Sequence, residues 1–190
     1  MVLGPQGAGK GTQAQRIAAE FGIPHISTGD MFRAAIADGT PLGRQVKPIL
    51  DRGELVPDVL TIELIENRLA QPDAAGGFVL DGFPRNVEQA NALDDLLNRL
   101  GRGLDAALFF DLPDDVAVER LLRRAELEGR PDDTPEVIDR RLRTYHAETE
   151  PVIEHYRMSG RLVPVDAEKA IAEVWAETQA ALEDVRRATA

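Results

Sequence analysis

Residues 4–12 form a glycine-rich segment that can hold phosphate, Gly-Pro-Gln-Gly-Ala-Gly-Lys-Gly-Thr. Glycines let a backbone curl until several N–H groups point at one anion. An apolar segment precedes this one and a helical segment follows it, so the positive end of a helix dipole adds to the attraction. Lys10 would place a full charge beside the β- and γ-phosphates of a nucleotide. These residues therefore predict a phosphate-binding loop.

The residue after Lys10 departs from the general pattern of such loops. It is Gly11 rather than Ser or Thr, and the hydroxyl comes one position later, at Thr12. Because the general pattern uses that hydroxyl on Mg²⁺, we expect the ion to be held through water here. Asp81 ends an apolar segment and resembles the acidic residue that holds Mg²⁺ through water in phosphate-loop enzymes. Asp30 is a second candidate for the same role.

Three motifs resemble those of the nucleoside-monophosphate kinases, and of the adenylate kinase family in particular. Residues 7–13, Gly-Ala-Gly-Lys-Gly-Thr-Gln, look like the family's phosphate loop, in which Gly-Thr follows the lysine. Residues 27–33, Ser-Thr-Gly-Asp-Met-Phe-Arg, and residues 81–85, Asp-Gly-Phe-Pro-Arg, look like the family's acceptor motifs. The resemblance runs along essentially the whole chain. It implies reversible phosphoryl transfer from Mg·ATP to AMP, giving two ADP, by a monomer that serves purine nucleotide homeostasis.

The acceptor half of such a site needs groups that bind a phosphate and a base. Arg33 and Arg85 offer planar forks suited to bidentate phosphate contacts. Arg85 follows Gly-Phe-Pro directly after an apolar strand, at the edge where α/β sheets bind ligands. Gln89 carries an amide that can donate to and accept from an adenine edge.

The resemblance assigns the remaining site residues position by position. Contacts to ATP are expected from Gly7, Ala8, Gly9, Lys10, Gly11, Thr12, Arg120, Arg124 and Ala167. Contacts to AMP are expected from Thr28, Arg33, Glu54, Leu55, Val56, Gly82, Phe83, Pro84, Arg85, Gln89, Arg130 and Arg141. The catalytic residues are expected to be Lys10, Arg85, Arg120, Arg124, Arg130 and Arg141.

An arginine-rich segment near residues 120–141 resembles the family's mobile lid. Arginines that close over the phosphates would neutralise charge and exclude water, which phosphoryl transfer requires. The lid, residues 123–133, is short and the chain has no cysteine, so no structural zinc is expected. Three neighbouring arginines are read instead as an ordinary charged helix surface: Arg123, Arg140 and Arg143.

Two other functions stay open at this stage. A UMP/CMP-type kinase tends to have Ala where this chain has Thr28 and Asn where it has Gln89, yet Asn86 after Pro-Arg resembles those enzymes. A nucleotide sensor that binds ATP without turnover would need only one phosphate site, so the full set of arginines argues against it.

Strands and helices alternate along the chain and would position these residues. Short apolar segments predict strands over residues 1–3, 24–26, 77–80, 106–112 and 162–165. Helical spacing predicts helices over residues 10–21, 59–69, 87–100, 116–124, 135–156 and 168–185. Residues 27–57 read as short helices, and residues 125–134 as a polar loop.

The pattern predicts an α/β fold, a doubly wound parallel five-stranded sheet flanked by helices. A single domain over residues 1–190 would include a helical insertion for the nucleoside monophosphate, residues 27–56, and the short lid loop, residues 123–133.

Composition narrows the class of protein further. A net charge of -11 argues against a general nucleic-acid binder, which needs a basic face. The absence of cysteine excludes disulfides, cysteine-ligated metals and thiol catalysis. The first apolar segment is too short for a secretory signal, and no segment of about 20 apolar residues could span a membrane. We therefore expect a cytoplasmic protein. The resemblance to the adenylate kinase family implies that its partners are ATP and AMP, with Mg²⁺ as cofactor.

Overall fold

The computed structural model describes residues 1–128 and 134–189, and a parallel sheet lies at its centre. The strands of the described chain are β1 (Val2–Leu3), β2 (His25–Ser27), β3 (Val79–Asp81), β4 (Ala107–Asp111) and β5 (Leu162–Asp166). They pair in the order β2-β3-β1-β4-β5, and Val2 lies opposite both Asp81 and Leu108. The predicted five-stranded parallel sheet is confirmed.

Helices connect the strands. In chain order they are α1 (Lys10–Phe21), α2 (Thr28–Ala37), α3 (Pro41–Asp51), α4 (Asp58–Leu69), α5 (Val87–Arg99), α6 (Asp114–Glu128), α7 (Pro135–Thr144), α8 (Glu150–Met158) and α9 (Ile171–Thr189). A 3-10 turn, Pro72–Ala74, precedes β3. Within residues 1–128 and 134–189, no helix is both long and apolar enough to cross a membrane.

The two faces of the sheet are buried by different helices. Successive residues of a strand point to opposite faces, so Val2 and Leu3 belong to separate cores. Leu3 packs with the buried side of α4, α5 and α8, where Leu69, Leu93 and Tyr156 lie. Val2 packs with residues of α1, α6, α7 and α9. Helices on both faces of a parallel sheet are the predicted doubly wound arrangement.

Helices α2 and α3 form an insertion between β2 and α4. Phe32, Val46 and Val56 are the buried residues of its hydrophobic core. Gly43 brings α3 against α2 so closely that a Cβ there would lie 2.0 Å from the carbonyl oxygen of Ala35. This contact requires glycine, and it makes the two helices pack as one unit.

The predicted loop over residues 125–134 is wrong at its beginning, because α6 continues to Glu128. Ala125, Glu126 and Leu127 favour helix, and this preference outweighs the polarity that suggested a loop. Residues 129–133 lie outside the described residues. The predicted site residue Arg130 and that part of the lid therefore lie outside them as well.

The predicted helix over residues 135–156 is also not continuous. A π-helical turn, Tyr145–Thr149, separates α7 from α8. Pro151 lacks the backbone N–H that would continue the α-helical ladder, and a π turn accommodates such a break. The last helix differs from its prediction too, since it begins at Ile171 rather than residue 168.

Candidate active site

Two adjoining cavities open at the carboxyl ends of the parallel strands, where α/β sheets bind ligands. The larger has a volume of about 520 Å³ and the smaller about 270 Å³. Residues that line both are Gln6, Gly29, Arg33, Gly82, Arg85, Arg141, Tyr145 and Thr149. Two ligands could therefore meet across this shared wall.

The phosphate loop joins β1 to α1 beside the larger cavity. Gly4 has a φ of 135°, and a Cβ there would lie 2.4 Å from the carbonyl oxygen of Phe110. Gly9 caps α1 in the left-handed region, with φ 75°. Predicted ATP contacts on the cavity wall are Gly7, Gly9, Lys10, Gly11 and Thr12. Ala8 is buried in the core behind the loop.

Lys10 begins α1 and is held against the loop, since its Nζ donates to the carbonyl oxygen of Pro5 at 2.6 Å. Burial is the largest cause that lowers its pKa to about 8. The charge of Asp81 opposes this change, and the charges of Arg85, Arg141 and Arg124 lower the pKa further. A phosphate beside Lys10 would relieve this repulsion. The ammonium group thus lies where an anionic ligand would stabilise its charge.

Asp81 ends β3 at the wall of the larger cavity, and His25 Nε2 lies 3.4 Å from its Oδ2. Burial alone would raise the pKa of the carboxyl group. The hydrogen bond to His25 and the charges of Lys10 and Arg85 instead hold the pKa below its usual range. An ionised carboxylate beside a phosphate cavity fits Mg²⁺, a hard cation that prefers oxygen ligands and keeps several waters.

Arg85 and Arg141 place positive charge in the shared wall. Burial and the charge of Arg141 lower the pKa of Arg85 to about 10, with a smaller contribution from Arg33 and an opposing one from Asp81. Arg85 Nε donates to the carbonyl oxygen of Gly82 at 2.8 Å, which fixes the direction of the guanidinium group. Like charges this close favour an anion between them.

Arg33 lies on α2 and lines both cavities, as predicted for a phosphate contact. Its guanidinium donates to Asp30 Oδ1, and both side chains are exposed. Asp30 therefore reaches the wall of the larger cavity while paired with Arg33. A phosphate bound by Arg33 would compete with this carboxylate.

The smaller cavity has a mainly apolar wall. Leu55 and Val56, both predicted to line an acceptor base, are part of it together with Phe32. Thr28 lines it as well and donates through Oγ1 to the carbonyl oxygen of Gly82 at 2.8 Å. A cavity with an apolar part beside polar groups suits a planar base.

Three further predicted AMP contacts take different positions. Glu54 lines the smaller cavity, but its carboxylate accepts two hydrogen bonds from Arg52. Phe83 and Pro84 line the larger cavity rather than the smaller one. A contact from Glu54 to a base would therefore come from its backbone more readily than from its side chain.

Gln89 lines the smaller cavity and is almost completely buried. Its Oε1 accepts from the backbone N–H of Arg85 at 2.8 Å, and its Nε2 donates to Asp58 Oδ1 at 2.7 Å. Asn86 is not among the residues that line either cavity; it caps α5 and donates to Asp58. Asn86 thus has a structural role, and its resemblance to UMP/CMP-type enzymes does not concern the base.

Arg120 and Arg124 of α6 both line the larger cavity, as predicted. The guanidinium of Arg120 donates to the carbonyl oxygens of Ala167 and Glu168, at 2.8 and 3.0 Å. Ala167 is buried, is not among the lining residues, and donates from its N–H to Asp111. Its predicted contact with the ATP base stays a prediction, while its contact with Arg120 is direct.

Among the residues of the cavity walls that sequence reasoning missed are Gln15, His25, Tyr145 and Thr149. Tyr145 and Thr149 follow Arg141 at intervals of four residues, so helical spacing from that arginine was the available signal. His25 contacts Asp81, and no motif in the sequence indicates this contact.

The site concentrates cationic groups where two anionic ligands would meet. Phosphoryl transfer requires mainly that reacting groups be positioned and that the charge on the moving group be neutralised. Lys10 and the arginines that line the larger cavity can position the phosphates and neutralise their charge. These arginines are Arg33, Arg85, Arg120, Arg124 and Arg141.

Comparison with known proteins points to the same chemistry. A family model described as adenylate kinase matches residues 2–161. An adenylate kinase of Stenotrophomonas maltophilia is 49% identical over 182 residues, which cover 96% of this chain and 97% of the relative. An adenylate kinase of Xanthomonas campestris is 50% identical over 92% of this chain and 93% of the relative. An adenylate kinase of Cyanothece sp. is 49% identical over 94% of this chain and 92% of the relative.

Proposed function

The chain belongs to the adenylate kinase family, and from this premise we propose that its two cavities hold ATP and AMP on either side of their shared wall. It is an enzyme, an ATP:AMP phosphotransferase that forms two ADP reversibly. The observation that carries the placement of the substrates is the position of Arg85 and Arg141, which line both cavities.

ATP would lie in the larger cavity, with its phosphates over the phosphate loop. Gly7, Gly9 and Gly11 let the backbone N–H groups surround the phosphates, and Lys10 supplies a point charge. Arg120 and Arg124 would bind the same phosphates from α6. Contacts from Ala8 and Ala167 would come from their backbones, since both side chains are buried.

Mg²⁺ would enter with ATP and be held through water by Asp81, with Asp30 as a second outer contact. When bound, the ion would neutralise part of the charge on the ATP phosphates. The residues fit this role because the carboxyl group of Asp81 has a lowered pKa and lines the same cavity as Lys10.

AMP would lie with its base in the smaller cavity and its phosphate at the shared wall. Arg33, Arg85 and Arg141 would hold that phosphate. A phosphate oxygen of AMP would then attack the γ-phosphorus of ATP in line, and the bond from that phosphorus to the β–γ bridging oxygen would break. No phospho-enzyme intermediate is needed.

Closure would follow the binding of both substrates. Residues 27–56 would move over AMP, and the lid at residues 123–133 would move over ATP and bring Arg130 to the phosphates. Exclusion of water by this closure would suppress hydrolysis of ATP. We propose that the protein works as a cytoplasmic monomer in purine nucleotide homeostasis.

A panel of acceptors tests the proposal. Formation of ADP would be measured with Mg·ATP and each of AMP, UMP, CMP and GMP, and AMP should give the highest kcat/KM. Preference for UMP or CMP would contradict the assignment of the smaller cavity to adenine. Binding of ATP without turnover of any acceptor would favour a nucleotide sensor instead.

A further inference from the structure

The side-chain amide of Gln89 lies between two groups of opposite hydrogen-bonding character. The backbone N–H of Arg85 can only donate, and it faces Gln89 Oε1 at 2.8 Å. The carboxylate of Asp58 can only accept, and it faces Gln89 Nε2 at 2.7 Å. Rotation of the amide by 180° would oppose donor to donor and acceptor to acceptor. The two neighbours therefore allow one orientation of Gln89.

Asp58 is itself held in place. Asn86 Nδ2 donates to both of its carboxylate oxygens, at 3.0 and 3.2 Å. Asn86 Oδ1 in turn accepts from the backbone N–H of Gln89 at 2.8 Å, as the cap of α5. Asp58 also opens α4, where the helix dipole stabilises a negative charge. The carboxylate is thus a fixed acceptor rather than a mobile surface group.

One N–H and one lone pair of the Gln89 amide are left over for a ligand in the smaller cavity. An adenine base presents an acceptor, N1, beside a donor, the 6-amino group. Hypoxanthine and guanine present the reverse, an N1–H donor beside the O6 acceptor. For a base held in one position, each orientation of the amide matches only one of these patterns, and an AMP site requires the orientation that matches adenine.

We propose that Asp58 is a positioning residue that selects adenine over 6-oxopurines by fixing the orientation of the Gln89 amide. This inference deepens the proposed function, because it takes the acceptor base to lie against Gln89. Asp58 does not line the smaller cavity, so it acts on the base only through Gln89. The selection follows from hydrogen-bond direction, since both kinds of purine have similar shapes.

Steady-state kinetics with AMP and IMP test this inference, because the two acceptors differ only in the donor and acceptor pattern at N1 and C6. In Asp58→Asn, position 58 can donate as well as accept, and one of the two constraints on Gln89 is lost. The ratio of kcat/KM for AMP to that for IMP should fall by about tenfold, while KM for ATP stays unchanged. Asp58→Glu, which keeps the acceptor-only carboxylate, should recover part of the ratio.

Glu88→Gln is the matched control, since it removes an exposed carboxylate in the first turn of α5, next to Gln89 in sequence. In Glu88→Gln, the ratio of kcat/KM for AMP to that for IMP should equal the ratio in the wild type. In a Gln89→Leu background, Asp58→Asn should cause no further fall. An unchanged ratio in Asp58→Asn, or an equal fall with and without Gln89, would overturn the inference.

Folding is checked by thermal melting, and Asp58→Ser replaces Asp58→Asn if the latter does not fold.

Failure of the proposed function is distinguishable from failure of this inference. The first would appear in the wild type, as no ADP formed from AMP or no preference for AMP over IMP. The second would appear only in the variants, as an adenine preference that survives the loss of the Asp58 carboxylate.

Discussion

Thr149 Oγ1 donates a hydrogen bond of 2.7 Å to the backbone carbonyl oxygen of Arg85, although the two residues lie 64 positions apart. The backbone N–H of Arg85 is bound on its other side by Gln89. The π-helical turn after α7 therefore fixes the backbone from which the Arg85 guanidinium extends into the shared wall.

Replacement of Thr149 by Val should weaken the site while keeping the shape of the side chain. The carbonyl oxygen of Arg85 would lose its partner, and we expect kcat/KM for AMP to fall by about tenfold. Steady-state kinetics would measure the change. Thr149→Ser keeps the hydroxyl group and should retain most of the activity; equal losses in both variants would show that the hydrogen bond is not the cause.

Lys10→Met should leave the protein folded and lower kcat by at least about 10³-fold, because it removes a charge beside the transferring group. Circular dichroism would show whether the variant is folded, and steady-state kinetics would measure the change in kcat. Arg187→Met is a suitable control, since it removes an exposed cation near the end of α9. A fall in kcat of less than tenfold would show that Lys10 is not catalytic.

The rate should depend on pH through Lys10, whose pKa in the free enzyme is lowered to about 8. Its charged form exists below that pH and is lost as the pH rises through it. We therefore expect kcat/KM for Mg·ATP to be level near neutrality and to fall above about pH 8. Bound phosphates favour the charged form, so the fall in kcat should come at higher pH. A level kcat/KM profile up to pH 9.5 would contradict this expectation.

Arg123 and Arg124 are neighbours on α6 with different surroundings. Arg124 lines the larger cavity, whereas Arg123 is exposed and does not line it. Arg124→Ala should lower kcat by about 10²-fold, on the scale of a lost group that stabilises the transition state. Arg123→Ala should stay within about twofold of the wild type. Equal effects on kcat would indicate a general loss of charge instead.

Gly43→Ala should damage the insertion, because its Cβ would lie 2.0 Å from the carbonyl oxygen of Ala35. We expect a loss of about 1–3 kcal/mol in the free energy of unfolding, and a larger rise in KM for AMP than for ATP. Gly76→Ala is the control, since a Cβ at that position meets no atom within 4 Å. Calorimetry and kinetics would test both variants, and an unchanged Tm for Gly43→Ala would refute the packing argument.

Much of the fold follows from local sequence. Short apolar strands, the glycines of the phosphate loop and the cap residues of the helices predict the sheet and the position of Lys10 and Arg85 at its edge. These features depend on neighbours in sequence, which is why a single chain reveals them.

What sequence could not predict depends on distant contacts. The helical periodicity of residues 135–156 continues through Tyr145 and Thr149, so nothing local distinguishes the π turn. The buried amide of Gln89 is predicted to meet a base, but its bond to Asp58 arises only when α4 and α5 pack together. Such contacts require the tertiary structure.

The walls of both cavities are drawn from segments that lie far apart along the chain, and both walls include Gln6 and Thr149. A polypeptide that is synthesised from its amino end therefore cannot complete either cavity until Thr149 has been made. The phosphate loop is synthesised well before Thr149, so its nucleotide site stays unfinished until that residue has followed. The order of synthesis alone thus leaves both cavities incomplete in a growing chain that has not yet reached Thr149.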